Sequence, residues 1–135
     1  NYRLGGKPVR IRGGLLGQWS CWTKSAVDFL DRVHAWWDSG EPLPREWLTL
    51  SAQMTDANAA IFDAAHNYAG SIPGVNEVLR RQGLLENTLT LKRDEVLTAG
   101  QAEEIDRVCA AYPHLTDDDF VAQNLERWLR EAEED

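Results

Sequence analysis

The chain has 135 residues, 43% hydrophobic and 27% charged, which is enough for one domain with a real core and too apolar for a disordered segment. Its 22 acidic and 14 basic residues leave a formal charge of -8, which argues against a phosphate-tracking nucleic-acid surface. No apolar stretch approaches a membrane span, no basic-then-apolar leader opens the chain, and Cys21 and Cys109 are too few for a disulfide framework, so a soluble, cytoplasmic protein with free thiols and no membrane partner is expected.

Residues 9–16 read VRIRGGLL, and the alternation at Val9, Ile11 and Gly13 predicts a strand whose second half is buried on both sides. It is the only good strand pattern. Thr23 can cap a first helix in which Ala26, Val27, Leu30, Val33 and Trp37 recur at helical steps, ended by Gly40 and Pro42. Pro44 can open a second, with Trp47, Leu50, Met54, Ala57, Ile61 and Ala65 along one face, broken over 67–71. A third spans about 73–82, buries Val75, Val78 and Leu79, and stops at Gly83, a left-handed cap. Residues 89–91 read as extended. Thr98 caps a fourth helix through Ala102, Ile105, Val108 and Cys109 to Tyr112, ended by Pro113. Thr116 followed by Asp117, Asp118 and Asp119 starts a fifth, where the carboxylates complement the helix dipole and Phe120, Leu125, Trp128 and Leu129 form the buried side. No repeat or charged linker marks an internal boundary.

The chemistry-bearing residues do not assemble into a motif. His34, His66, His114, Cys21 and Cys109 form no paired spacing that would set two metal ligands on one helix face. Asp117, Asp118 and Asp119 read as a solvated helix start rather than a cation site. Gly13, Gly14 and Gly17 match neither nucleotide-binding glycine pattern, although they permit close backbone approach. Cys21 reads as a small packed thiol beside Trp19 and Trp22. Of the six tryptophans, Trp37, Trp47 and Trp128 fall on faces assigned to the interior, leaving Trp19 and Trp22 open for core or ligand. A lone strand has no partner for its ladder bonds. With a chain that opens on Asn1 rather than methionine, this suggests a piece of a longer polypeptide.

Three stretches carry a family likeness: Asn58-Ala59-Ala60-Ile61-Phe62, Ser71-Ile72-Pro73-Gly74-Val75 and Val78-Leu79-Arg80-Arg81-Gln82-Gly83-Leu84. Their order resembles the C-terminal helical region of the dihydrodipicolinate synthase and N-acetylneuraminate lyase family. There, a helix ending in an apolar-Phe pair leads through an Ile-Pro turn to a short helix closing on Gly-Leu, an extended segment and a last helix. Gly13-Gly14-Leu15-Leu16-Gly17 is similar to that family's last barrel strand. Where the family has Pro-Ile-Pro-Val-Lys this chain has Ser71-Ile72-Pro73-Gly74-Val75, and an extra acidic helix follows Pro113; these departures point to a diverged branch, such as sugar-acid dehydratases or hydratase-aldolases.

The resemblance implies a mostly α chain, the C-terminal portion of an α/β (β/α)8 TIM barrel plus its helical extension. Residues 1–40 would be the last strand and following helix, and 41–135 the helical region. It implies a class I lyase, aldolase or dehydratase, forming a Schiff base with a pyruvate-like or sugar-derived 2-oxo acid. The catalytic lysine and tyrosine would lie outside this chain, with no metal or cofactor and a homo-oligomeric assembly. Barrel sites lie at the C-terminal ends of strands, which would put Leu15, Gly17, Gln18, Trp19 and Ser20 against substrate. A free-standing acidic helical domain that binds another protein is the alternative.

Overall fold

The computed structural model describes residues 2–14 and 16–134. Two three-residue strands, β1 (Tyr2–Leu4) and β2 (Lys7–Val9), pair antiparallel with Tyr2 opposite Val9 and Leu4 opposite Lys7. Gly5 and Gly6 turn the hairpin at φ +55° and +80°, the positive values that a two-residue hairpin turn requires and glycine supplies without strain. This corrects the expectation of one buried strand over 9–16. The strand ends at Val9, it is exposed, and its ladder partner lies within the chain. Residues 10–14 are irregular, and Ile11 is 72% and Leu16 63% exposed.

Five helices follow: α1 (Thr23–Ser39), α2 (Glu46–Ile61), α3 (Ser71–Arg81), α4 (Gln101–Ala111) and α5 (Asp118–Glu134). The mostly α architecture agrees with the periodicity, and none of the helices among the described residues is long and apolar enough to cross a membrane. Gly40 ends α1 at φ +71° as expected. Gly83 closes α3 at φ +80°, with Leu84 N donating to Leu79 O at 2.9 Å and Gly83 N to Arg80 O at 3.0 Å, the paired bonds of a Schellman stop.

The threonine caps fail in every case. Thr23 Oγ1 donates backwards to Trp19 O at 2.6 Å, while Trp22 takes the position before α1 at φ +53°. A left-handed, β-substituted residue costs on the order of 1–2 kcal/mol, offset here by burying the indole to 7% exposure. Gly100 precedes α4, and Thr98 Oγ1 sits 3.0 Å from His66 Nδ1 instead. Thr116 Oγ1 donates to Pro113 O. Asp117 is not solvated either: it is buried, accepting Lys24 N at 3.0 Å and Gln82 Nε2 at 2.8 Å. It thus ties the start of α5 to α1 and α3. Helix α2 stops at Ile61, four residues short of Ala65, which is exposed.

The core lies between α2, α3 and α4, where Ala57, Ala60, Ile61, Val78, Ile105 and Val108 are buried together with Cys21, Trp22 and Leu115. Trp47 and Trp128 are half-buried, but Trp37 is exposed, with the Arg10 guanidinium 4.9 Å from its ring centre. Helix α1 therefore uses its apolar stripe only in part, since Val27 is exposed too.

One buried amide locks α2, α3 and α4 together. Gln101, 3% exposed, donates Nε2 to Ile61 O at 3.1 Å and Gly70 O at 2.9 Å and accepts Thr98 N at 3.1 Å. The first of these bonds satisfies a carbonyl at the end of α2, and the second adds to the bond that Gly70 O accepts from Gly74 N at 2.8 Å. The close approach needs glycine: a Cβ on Gly74 would stand 2.0 Å from Ile61 O, and one on Gly70 2.1 Å from Gln101 Oε1. The first turn of α3, which contains Ile72 and Pro73, therefore packs against the end of α2 through Gly74.

Candidate functional site

The Gly17–Ser20 turn is a single 3-10 turn rather than a strand end. Gly17 lies against Phe62, with 3.3 Å from a Cβ position to the ring edge. Gln18 is half-buried and both ends of its amide face α2: Asn58 Nδ2 donates to Oε1 at 2.8 Å, and Nε2 donates to the Met54 thioether. The Ser20 hydroxyl turns back onto Gly17 O. Trp19 is half-buried, with its indole Nε1 buried and without a partner among the described residues. Leu15 lies outside the described residues.

These residues split between two surfaces. Gly17 and Gln18 line an open cleft of about 400 Å³ with Leu16, Thr55, Asn58, Phe62 and Tyr68. Ser20 belongs to a separate groove of about 380 Å³ between α1, α3 and α5, beside Cys21, Trp22, Lys24, Gln82 and Asp117. Cys21 is 3% exposed, and burial, with the Asp117 charge adding to it, pushes its thiol up to about 12. A thiol held protonated in this way is packing material and not a nucleophile.

Sequence patterns miss the wall opposite Gly17. Asn58 and Phe62 come from the end of α2, and Tyr68 from the connection to α3. Three residues of that connection adopt left-handed backbone: Asp63 at φ +56°, Asn67 at +52° and Tyr68 at +66°. Asp and Asn tolerate this region through local hydrogen bonds, whereas Tyr has no such relief. The loop is held by His66 N and Tyr68 N, which donate to Asp63 O at 3.0 and 2.9 Å, and by Ser71 Oγ, which donates to Tyr68 O at 2.8 Å.

Beneath the loop, the Asp63 carboxylate is 4% exposed. Burial pushes its pKa up, but hydrogen bonds from His66, Thr98 and the Gly70 amide together hold it below the usual carboxylate range. His66 Nδ1 lies 2.6 Å from Asp63 Oδ1. An aspartate behind an imidazole is the arrangement that orients a general base. Here, however, the Thr98 hydroxyl shares Nδ1 with the carboxylate, so it is not placed as a nucleophile served by Nε2. The cluster fastens the loop. Asp63 and His66 share a cleft with Asp56 and Arg107, where Arg107 grips Asp56 through two bonds of 2.8 and 2.9 Å, and Tyr112 donates to the same carboxylate at 2.8 Å. The hydrogen bond from Arg107, foremost, brings the Asp56 carboxyl down to about 2.

Among the described residues no group of three or more His, Cys, Asp or Glu side chains is placed to hold a metal ion. The chemistry available at the cleft is neutral hydrogen bonding and aromatic contact. No family model, curated protein or solved structure matches this chain.

Proposed function

We propose that the chain is the C-terminal helical part of a Schiff-base-forming lyase, an aldolase or dehydratase resembling the dihydrodipicolinate synthase and N-acetylneuraminate lyase family. Its substrate is a pyruvate-like or sugar-derived 2-oxo acid, and the Gly17–Ser20 turn borders the substrate. The observation that carries this reading is the way the likeness-bearing residues cooperate in space. Ile61-Phe62, Ser71-Ile72-Pro73-Gly74 and Gly83-Leu84 form one interlocked unit in which Gly74 packs on the end of α2 and Gly83 stops α3. The residues that carry the likeness are thus those the packing requires.

On this reading, residues 9–17 join a (β/α)8 barrel in the whole protein, and the exposed Ile11, Leu16 and Val27 meet its other strands. The reactive lysine and the assisting tyrosine lie on those strands. The enzyme is cytoplasmic, in keeping with two free thiols, and works as a homo-oligomer. Borohydride reduction in the presence of pyruvate tests it. The lysine amine and the 2-oxo carbon form an imine with loss of water, and hydride converts the imine to a stable secondary amine. The expected label falls on a lysine preceding Asn1 in a longer polypeptide; a label on Lys7, Lys24 or Lys92, or none, refutes the proposal.

The hairpin favours a second reading, a free-standing acidic helical domain that binds another protein. β1 satisfies the ladder of β2, so no missing strand is needed. A native polypeptide of 15.3 kDa with cooperative unfolding and no binding of a hydrophobic dye supports this alternative.

A further inference from the structure

We propose that the cleft between the Gly17–Ser20 turn and the end of α2 is a subsite for a polyhydroxylated carbon chain, with Tyr68 as its specificity-determining residue. This rests on the Schiff-base reading for the reacting end of the substrate, and it selects a sugar-derived 2-oxo acid over pyruvate itself. Among the described residues the lining contains no charged side chain, although 27% of the chain is charged. A carboxylate would find no cation there. What it meets are the amides of Gln18 and Asn58, the hydroxyls of Thr55 and Tyr68, and the rings of Phe62 and Tyr68. Neutral donors and acceptors interleaved with aromatic faces match a chain of alternating hydroxyl and C–H groups.

Several of these polar groups have capacity to spare. Gln18 Nε2 donates to a thioether, a weak acceptor that a ligand hydroxyl would replace to advantage. Asn58 uses its Nδ2 on Gln18, and its Oδ1 has no partner among the described residues. Tyr68 is 65% exposed, and no hydrogen bond among the described residues engages its hydroxyl. Its left-handed backbone is a strained state maintained by the Asp63 and Ser71 contacts, and such strain persists where the surrounding structure over-determines it, most often at ligand sites. Glycine would occupy the same φ freely. Tyr68 is thus kept on the cleft lining with a backbone conformation that its residue type disfavours.

The test is an amide NMR titration of the 135-residue chain with D-gluconate as the probe and pyruvate at equal concentration as the comparison. Gluconate is expected to shift Gly17, the Gln18 and Asn58 side-chain amides and Tyr68 saturably, and pyruvate to leave them in place. Tyr68→Gly relieves the strained φ and should unfold no earlier than the parent, yet bind gluconate about tenfold more weakly through loss of a ring contact and a hydrogen bond. Tyr68→Phe, which keeps the ring, should fall between. Equal shifts from pyruvate, gluconate shifts confined to other surfaces, or a Tyr68→Gly variant with unchanged affinity would each overturn the subsite. The two proposals fail separately: gluconate binding can survive a failed borohydride trapping, and successful trapping without gluconate shifts removes the subsite alone.

Discussion

Replacing Gly74 with alanine sets two physical effects against each other with opposite sign. Gly74 sits inside α3, so intrinsic helix propensity alone predicts that Gly74→Ala stabilises the protein by about 1 kcal/mol. Its surroundings predict the reverse. The new Cβ would lie 2.0 Å from Ile61 O and 2.6 Å from Gln101 Nε2, and the first of these is backbone that cannot swing aside. Restoring ordinary contact requires α3 to part from the end of α2 by about 1 Å or more, and forced overpacking of this kind costs about 1–3 kcal/mol. Parting also stretches the Gln101 bonds to Ile61 O and Gly70 O, now 3.1 and 2.9 Å, each contributing about 1 kcal/mol. After the propensity gain is subtracted, the net loss is about 3 kcal/mol, or a fall in Tm of about 10 °C for a two-state domain of this size. Thermal unfolding followed by circular dichroism measures it, and an unchanged or raised Tm would refute the packing argument. Gly70→Ala separates the causes further. Its Cβ would meet only side-chain atoms at this range, Gln101 Oε1 at 2.1 Å and Asp63 Oδ2 at 3.0 Å. Much of its penalty should therefore vanish in a Gln101→Ala background, whereas Gly74→Ala should lose only the share carried by the Gln101 bonds and keep that of the Ile61 O clash.

Acid stability should follow Glu77. Its buried carboxyl is held down to about 2, chiefly by the hydrogen bond from Arg80, with burial opposing and Arg81 assisting. A depressed folded pKa stabilises fully above the unfolded value of about 4.3 and is lost as pH falls toward 2. Urea midpoints should therefore decline across that window and decline less steeply in Glu77→Gln; an identical slope would remove the assignment. Asp56, also held at about 2, keeps part of the decline in the variant. At pH 8 a thiol reagent should modify half-buried Cys109 before Cys21, which should react only as the chain unfolds, and rapid labelling of Cys21 in the folded state would contradict its packing. Gln18→Ala should cost about 1 kcal/mol by leaving Asn58 Nδ2 without its acceptor, and a double-mutant cycle with Asn58→Ala that shows no coupling would sink that contact.

The helices were legible because their signals are local. Gly40 and Gly83 end α1 and α3 where a left-handed residue was expected, and Ile105 and Val108 recur at the spacing that buries them at 0% exposure. Capping threonines misled because a hydroxyl can bond in either direction: Thr23 and Thr116 donate to preceding carbonyls rather than accept from the helix. The strand over 9–16 failed for a different reason. Alternation at Val9, Ile11 and Gly13 fits any half-extended segment. The stronger cue, Gly5-Gly6 between Leu4 and Lys7, is a hairpin signal readable from two residues.

The cleft was legible only on one side. Gly17 and Gln18 stood out through their unusual local composition, but their partners Asn58 and Phe62 lie forty residues or more away, and no short-range rule links them. Tyr68 was invisible in sequence because its significance comes from a φ of +66° that its residue type disfavours. The hairpin also changes the weight of the function argument. With β2 paired inside the chain, an orphan strand no longer argues for a barrel; what remains to be explained is exposed apolar surface. Ile11, Leu16, Val27 and Leu48 stand exposed, and so do Ile72, Leu89 and Leu91, around a core in which Ile61, Ile105 and Val108 are fully buried. A free-standing domain of this size would gain by covering or replacing them, so their persistence is the feature that a missing barrel, or a protein partner, has to account for.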